Sequence, residues 1–327
     1  MAFDLFHRNG RGRFYRGNLH THTINSDGGM SPAAVCAAYR QQGYDFLAIT
    51  DHFLEAYNFP ITDTTPFRDE SFTTLIGAEL HAPALANGQI WHMVAVGLPV
   101  DFGSPRDRET GPDLAQRAVD AGAFVALAHP AWYGATVEDL LSVPAAHAIE
   151  AYNEVCGRLN DKPESWFHVD QVLSAGRRVT AIGADDAHFH VSMSNSKETP
   201  GATDPIATEL GEELPAGFGT WVWVRAAALE PDGLVEALKA GDFYTSQGPI
   251  IHDIRVSEDR TTIQVVNSPA VSVFVTGRPD TMAYVSKHAA QVTHSTFPIG
   301  NCAGSYVRVT VVDSAGKRAW SNPIWLD

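Results

Sequence analysis

Short apolar runs alternate with amphipathic segments over the first 250 residues, and this alternation predicts repeated β-α units around a mostly parallel sheet. The first helix is predicted to begin at Ser31 as its N-cap, with Pro32 at its first position, and to end at Gly43. The other predicted helices lie at 112–122, 164–176 and 231–241, and the predicted strands at 14–19, 44–50, 73–78, 90–97, 123–128, 148–152, 178–183 and 220–225.

The pattern changes near residue 250. Beyond it, apolar and polar positions alternate at 271–276 and 306–312, a hairpin turn is predicted at 313–317, and no helix signal follows. We therefore predict two domains, a large α/β domain over residues 1–250 and a small all-β appendage over residues 251–327. The polar segment 190–218 is either a lid over a substrate or a plain surface loop.

Residues that can bind metal ions stand at or just past the predicted strand ends. His20 and His22 are one residue apart in an extended run, so their side chains point to the same side. Barrel enzymes build their sites at the carboxyl ends of the strands, so this placement predicts a seven-stranded barrel rather than an open doubly wound sheet. His92, nearer a strand start, is the exception. The other residues of this kind are Asp27, His52, Glu79, His129, Asp186 and His188.

Composition narrows the chemistry that the chain can perform. It has 327 residues and a formal net charge of −15 with five lysines, which argues against a nucleic-acid-binding surface. The three cysteines, Cys36, Cys156 and Cys302, are far apart and predict reduced thiols, so a metal site has to use histidine and carboxylate ligands. Neither a GxGxxG sequence nor a P-loop supports a nucleotide cofactor.

The sequence predicts a cytoplasmic protein. The N-terminal residues lack the apolar region of a signal peptide, and the longest apolar runs are too short to cross a bilayer. The oligomeric state is not predicted.

Seven short motifs follow one another along the chain, and in this order they resemble the PHP (polymerase and histidinol phosphatase) superfamily. They are HTH, SDG, TDH, GAE, IWH, AHP and DAH, and they span about residues 14–190. The segments YRGNLH, IEAYN and AWSNPI are similar to one branch of this superfamily, the carbaryl-hydrolase-like metallohydrolases. The resemblance implies a distorted (β/α)7 TIM-like barrel that holds two or three divalent ions of Mn, Zn or Fe.

The resemblance also implies which residues hold each ion. The first ion would be bound by His20, His22, Glu79 and Asp186, and Glu79 would bridge to a second ion bound also by His92 and His129. Asp27, His52 and His188 would bind the third. Nitrogen and oxygen ligands without thiolate suit such ions, and a bridging carboxylate is typical of two-metal hydrolases.

Several neighbouring residues leave alternatives open. Asp51 is either a partner that orients an imidazole or a strand-end cap, and His81 is either a substrate contact or an ordinary polar residue. His190 is a general acid or a loop residue, and Arg158 is an anion contact or a surface arginine. The spacing favours Asp186 over Asp185 as the ligand.

The predicted function is that of a metal-dependent phosphoesterase, which hydrolyses a phosphomonoester or phosphodiester by means of a hydroxide shared between metals. The alternative is a carbamate, ester or amide hydrolase with the same site, which the low lysine content favours. A non-catalytic metal-binding module is the third possibility. The predicted partner is a small phosphorylated molecule, neither nucleic acid nor membrane, and the predicted catalytic residues are Glu79, Asp186, His188, His190 and Arg158.

Overall fold

The computed structural model describes residues 12–189, 217–277, 282–286 and 291–327. The strands are β1 (Arg13–Asn18), β2 (Phe46–Ile49), β3 (His52–Phe53), β4 (Thr73–Ala82), β5 (Trp91–Val96), β6 (Phe124–Leu127), β7 (Ala148–Asn153), β8 (Thr180–Ala184), β9 (Trp221–Ala226), β10 (Phe243–Ser246), β11 (Ile251–Val256), β12 (Thr262–Ala270), β13 (Ser272–Gly277), β14 (Met282–Ser286), β15 (Val292–Pro298), β16 (Tyr306–Val312), β17 (Arg318–Ser321) and β18 (Ile324–Trp325). The α-helices are α1 (Pro32–Gln41), α2 (Gly111–Asp120), α3 (Pro130–Tyr133), α4 (Val137–Leu141), α5 (Glu154–Leu159), α6 (Trp166–Ser174) and α7 (Pro231–Ala240).

Local sequence signals explain where the longer helices begin. The Ser31 hydroxyl accepts a hydrogen bond from the backbone N–H of Ala34, and Pro32 follows at the first position of α1, as predicted. At the start of α2, Thr110 and Asp113 form a reciprocal capping box. Helix α1 ends at Gln41, and Gly43 follows in a left-handed conformation with φ +75°.

The fold is a mixed α/β structure with one large mixed sheet. Its strands are hydrogen-bonded in the order β14-β13-β16-β17-β10-β9-β1-β2-β4-β5-β6-β7-β8. The pairs β1–β2, β2–β4, β6–β7 and β7–β8 are parallel, as predicted. Strand β5 is antiparallel to both β4 and β6. Its first residues therefore lie at the same edge as the carboxyl ends of its neighbours, which explains the exceptional position of His92.

The predicted (β/α)7 barrel is not confirmed, because the hydrogen-bonded strand order has two free ends, at β14 and β8, and the sheet is not closed. An isolated parallel bridge between Thr21 and Ala187 nevertheless joins the segment after β1 to the segment after β8. The backbone N–H of His22 donates to the carbonyl of Ala187 at 2.8 Å within this bridge. The two ends of the parallel part therefore meet at the edge that carries the candidate ligands.

The chain after residue 250 is β-rich, as predicted, but its strands divide between two sheets. Strands β11, β12 and β15 form a separate three-stranded sheet, while β13, β14, β16, β17 and β18 belong to the large one. Strand β17 pairs with β10, so the large sheet continues across the predicted domain boundary. The division at residue 250 itself stays a prediction.

Aromatic packing also connects the C-terminal strands to the rest of the core. Trp320 is buried, and its ring centroid lies 5.5 Å from that of Tyr152 and 5.9 Å from that of Trp166. Tyr306 is buried in the same hydrophobic cluster. Among the helices described, none has the length and apolar character required to cross a membrane.

Candidate metal centre

All nine ligands implied by the resemblance lie in one cluster at the edge where the parallel strands end. Their ligand atoms form overlapping groups in which every atom lies within 4.8 Å of the others. The cluster also contains His81, which the predicted ligand set leaves out. The groups are His22, Asp27, His52 and His188; His20, His22 and Glu79; His20, His129 and Asp186; Glu79, His92 and His129; and His52, Glu79 and His81.

Glu79 lies at the centre of this cluster and is fully buried. Its Oε1 is 2.8 Å from Nδ1 of His92 and 3.2 Å from Nε2 of His129. Its Oε2 faces the other side, toward His52 and, at 3.8 Å, Nε2 of His22. The two oxygens thus face different histidines, with Nε2 of His20 also on the Oε1 side at 3.7 Å, and a carboxylate placed among imidazoles in this way can bridge two cations. Glu79 lies inside β4 rather than past its end, since β4 continues to Ala82 by pairing with β5.

Asp186 and Asp27 are the carboxylates of two further groups in the cluster. Asp186 Oδ1 lies 2.9 Å from Nε2 of His22 and 3.3 Å from Nε2 of His20. Asp27 lies between two other histidines, 3.3 Å from Nε2 of His52 and 3.4 Å from Nε2 of His188. Each group therefore combines imidazole nitrogens with a carboxylate.

The residues present fit divalent metal ions. Nε2 of His20, Nε2 of His22 and Oε2 of Glu79 are buried, and none of these atoms has a hydrogen-bond partner. Burying an unpartnered polar atom is costly, so such atoms in one cluster indicate that they serve a ligand. Imidazole and carboxylate donors are those that Zn, Mn and Fe accept.

The electrostatics of the cluster also favour cations. Burial opposes the charged form of Glu79, but His52 and His92 outweigh it and hold the Glu79 pKa well below its usual value. Burial also opposes protonation of His52, yet Glu79 and Asp27 raise the pKa of His52 to about 10. Burial and the neighbouring imidazoles lower the pKa of His22 to about 3. The pKa values of these neighbouring histidines are thus shifted in opposite directions around buried carboxylates, and bound cations would compete with protons for the same nitrogens.

Two of the implied ligands have strained backbones. His129 has φ +22° and Asp186 has φ +55°, values that side-chain-bearing residues seldom adopt. Such strain costs of order 1–3 kcal/mol per residue and concentrates at functional sites. Each stands two residues past the end of a buried strand, β6 or β8, where the distorted backbone turns its side chain into the cluster.

Comparison with known proteins gives structural likenesses of low similarity. No protein-family model and no curated protein matches the chain. A two-domain protein from Bacteroides vulgatus, containing a predicted PHP-like metal-dependent phosphoesterase, is 18% identical with a TM-score of 0.49, and the match covers 96% of this chain and 93% of that one. A candidate metal-dependent phosphoesterase from Bifidobacterium adolescentis is 16% identical with a TM-score of 0.40, over 53% of this chain and 87% of that one. An amidohydrolase from Chromobacterium violaceum is 16% identical with a TM-score of 0.38, over 59% and 95%. Because likeness at this level assigns neither family nor activity, the function has to be inferred from the cluster itself.

Glu150 is a buried acid that the sequence analysis did not identify as a site residue, and it contacts two of the implied ligands. Oε1 of Glu150 lies 3.0 Å from Nδ1 of His20, and its Oε2 accepts from the backbone N–H of His129 at 2.8 Å. Asn153 donates to Glu150 and also, at 3.1 Å, to Oδ2 of Asp186. A carboxylate bonded in this way fixes which imidazole nitrogen faces the metal. The sequence signal was one acidic residue in the apolar strand 148–153.

Replacement of Glu150 by Gln is expected to weaken metal binding about 10- to 100-fold while the fold is retained. The amide keeps the shape but loses the charge that favours a proton on Nδ1 of His20. Equilibrium dialysis against Mn or Zn would measure the change. Glu109→Gln is a matched control, since Glu109 is a buried acid paired with Arg117 at 2.7 Å outside the metal-ligand groups. An unchanged dissociation constant in Glu150→Gln would contradict the supporting role.

Asp51 and Asp185, which are adjacent in sequence to implied ligands, accept hydrogen bonds from loop residues rather than from imidazoles. Asp51 accepts from the backbone N–H of Thr23 at 2.6 Å and from the hydroxyl of Ser26 at 2.9 Å, which fixes the turn that carries Asp27. Asp185 accepts from three consecutive backbone N–H groups at 218–220. Burial raises the pKa of Asp185 to about 6. Of the two adjacent acids, Asp186 is the one in the cluster, as predicted.

The other candidate residues have different outcomes. Arg158 lies on α5 and forms an ion pair with Glu154 at 3.1 Å. His190 lies outside the described residues, so its role stays a prediction. His81 is buried inside the cluster, 2.9 Å from Nδ1 of His52 through its Nε2. On the outer side, Trp132 is 41% exposed and packs edge-on against His129 with a centroid separation of 5.1 Å.

Proposed function

We propose that this chain is a metal-dependent hydrolase of the PHP superfamily, and that its reaction is phosphoester hydrolysis. The observation that carries the proposal is Glu79, whose two oxygens face two separate sets of histidines. The motif order supports the superfamily, and with it the distorted (β/α)7 arrangement. Soluble cytoplasmic action on a small phosphorylated molecule is part of the same proposal.

The proposal assigns the implied ligands to three ions. The ligands of the second and third ions each lie within one group of neighbouring side chains, whereas those of the first are divided between two overlapping groups. Bound divalent ions would activate a water molecule and neutralise the negative charge that develops on the substrate oxygens. The first ion would use His20, His22, Glu79 and Asp186, the second Glu79, His92 and His129, and the third Asp27, His52 and His188.

The chain's own residues perform positioning and charge balance. Glu79 lies between the surrounding histidines and would offset the repulsion between neighbouring cations. Glu150 holds His20 in the tautomer whose Nε2 faces the cluster. Asp186, held by Asn153, keeps its Oδ1 toward His20 and His22. His188 has a catalytic role in this proposal besides its place at the third ion, and His190 as a general acid and Arg158 as an anion contact remain part of it.

A carbamate, ester or amide hydrolase is the second candidate. Two observations favour it: the chain has only five lysines, and the half-exposed indole of Trp132 lies beside His92 and His129. An indole beside the cluster packs more favourably against an apolar, planar part of a substrate than against a charged part.

A parallel assay separates the candidates. The protein would be loaded with Mn or Zn and tested on nitrophenyl phosphate monoesters and diesters and on an aryl carbamate. Turnover of a phosphate ester that disappears on chelation and returns with metal supports the phosphoesterase. Turnover of the carbamate alone would reject it in favour of the second candidate. Bound metal without turnover of any substrate would favour a non-catalytic module.

A further inference from the structure

His81 is a buried histidine inside the cluster to which the implied ligand set gives no role. It follows Glu79 by two residues in β4, so both side chains point to the same side of the strand. Its side chain is only 2% exposed. In the antiparallel pairing of β4 with β5, His81 lies opposite His92, which places it between the second and third groups of ligands.

The hydrogen bonds of His81 define its tautomer. Nδ1 lies 3.1 Å from the backbone carbonyl oxygen of Trp91, and a carbonyl can only accept, so Nδ1 carries the proton. A neutral imidazole with a proton on Nδ1 has its lone pair on Nε2. That Nε2 lies 2.9 Å from Nδ1 of His52. His52 therefore donates from Nδ1 to His81.

Glu79 is the competing acceptor for this proton. Its Oε2 lies closer to Nδ1 of His52, at 2.5 Å, and 3.4 Å from Nε2 of His81, but it is not in hydrogen-bonding geometry and is among the buried atoms without a hydrogen-bond partner. If Glu79 bridges two cations, both of its oxygens are committed to them. His81 is then the acceptor that remains for His52.

With a cation bound beside Asp27, His52 would carry its single proton on Nδ1 and its lone pair on Nε2, the nitrogen that lies 3.3 Å from Asp27. We propose that His81 is a positioning residue. The Trp91 carbonyl fixes the orientation of His81, and His81 accepts a hydrogen bond from Nδ1 of His52. This hydrogen bond orients His52 so that its Nε2 would face a metal ion held with Asp27 and His188. This inference rests on the proposed function, since it presumes that the cluster binds divalent ions.

The type of acceptor distinguishes this site from the first one. His20 donates to the carboxylate of Glu150, whereas His52 donates to an imidazole. A carboxylate makes the bonded imidazole more basic than a neutral acceptor does, so an ion beside Asp27 would be held more weakly than one beside His20. The third ion would then be the first to leave when free metal is scarce.

Two substitutions of similar polarity separate positioning from bulk packing. In His81→Gln, the side-chain amide reaches the place of Nε2 and can accept from His52. In His81→Asn, the shorter amide reaches only the place of Nδ1, so it contacts the Trp91 carbonyl but not His52. His52→Ala is the reference for complete loss of the third site. Each purified variant would be titrated with Mn or Zn by calorimetry and its metal content measured after dialysis, with circular dichroism as the check on folding.

The expected result is that wild-type protein and His81→Gln bind the same number of ions. His81→Asn should bind its weakest ion about 10- to 100-fold less tightly, approaching His52→Ala, with the other ions unchanged. Equal affinities in His81→Asn and wild type would overturn the inference while the proposed function stands. Equal losses in His81→Gln and His81→Asn would also overturn it, because they would make His81 a metal ligand or a packing residue. A wild-type protein that binds no divalent metal would overturn both proposals.

Discussion

Replacement of Glu79 by Gln is expected to remove the second metal ion and lower the catalytic rate by more than about 100-fold, because even partners one step removed from a metal contribute about 10- to 100-fold. Gln keeps the size of Glu79, but its amide nitrogen has no lone pair for a cation. The second ion would then retain only His92 and His129 as protein ligands. The expected signature is lower metal content and a lost rate, with an unchanged circular dichroism spectrum.

A matched control separates the shared carboxylate from the general loss of a buried acid. Glu109→Gln removes the charge of an acid paired with Arg117, so it should lower stability modestly and leave metal content unchanged. If Glu79→Gln retained its metal and most of its activity, a mechanism with two ions sharing this residue would be wrong.

Replacement of Trp320 by Ala is expected to lower the free energy of unfolding by about 3–5 kcal/mol. The indole is buried against Tyr152 and Trp166, and β17, which carries it, pairs with both β10 and β16. Chemical denaturation monitored by far-ultraviolet circular dichroism, which reports on the backbone, would measure the change in the free energy of unfolding. Phe167→Ala is the control, since Phe167 on α6 is 69% exposed and should contribute within about 0.5 kcal/mol.

Removal of residues 251–327 extends the same test. It deletes Trp320, uncovers Trp166 and leaves the edge of β10 unpaired, and an exposed sheet edge promotes aggregation. The truncated chain is therefore expected to be insoluble, although it keeps every implied ligand. A soluble truncated protein with full metal content would show that the first 250 residues fold as an independent domain.

The sequence predicted the site best where it depends on the alternation of side chains between the two faces of a strand. His20 and His22 were predicted to share one side of a strand end, and the structure brings both to Asp186. Each predicted strand from 14 to 225 corresponds to an observed strand with ends that agree within two residues, apart from β4. Strand β4 extends to Ala82 because pairing with β5 continues past Glu79, and the apolar pattern alone does not reveal such a partner.

What the sequence could not predict depends on contacts between distant segments. The direction of β5 follows from its partners, so His92 looked misplaced until the antiparallel pairing was known. Glu150 lies in an apolar strand, and its bond to His20 joins residues 130 positions apart. The continuation of the sheet into β17 has the same origin, since alternation indicates a buried face without indicating what covers it.

The hairpin of β4 and β5 has a consequence for the order in which the chain folds. Glu79 and His92 are 13 residues apart and meet through a hairpin, whereas His20 and Asp186 are 166 residues apart in the chain. Closing the longer loop costs about 2 kcal/mol more chain entropy in an unfolded chain. Contacts between near neighbours also form faster than contacts that span most of a sequence. The hairpin can therefore present its glutamate and histidine to a cation before the outer strands have docked, and an ion captured there would favour the register that brings the remaining ligands into place.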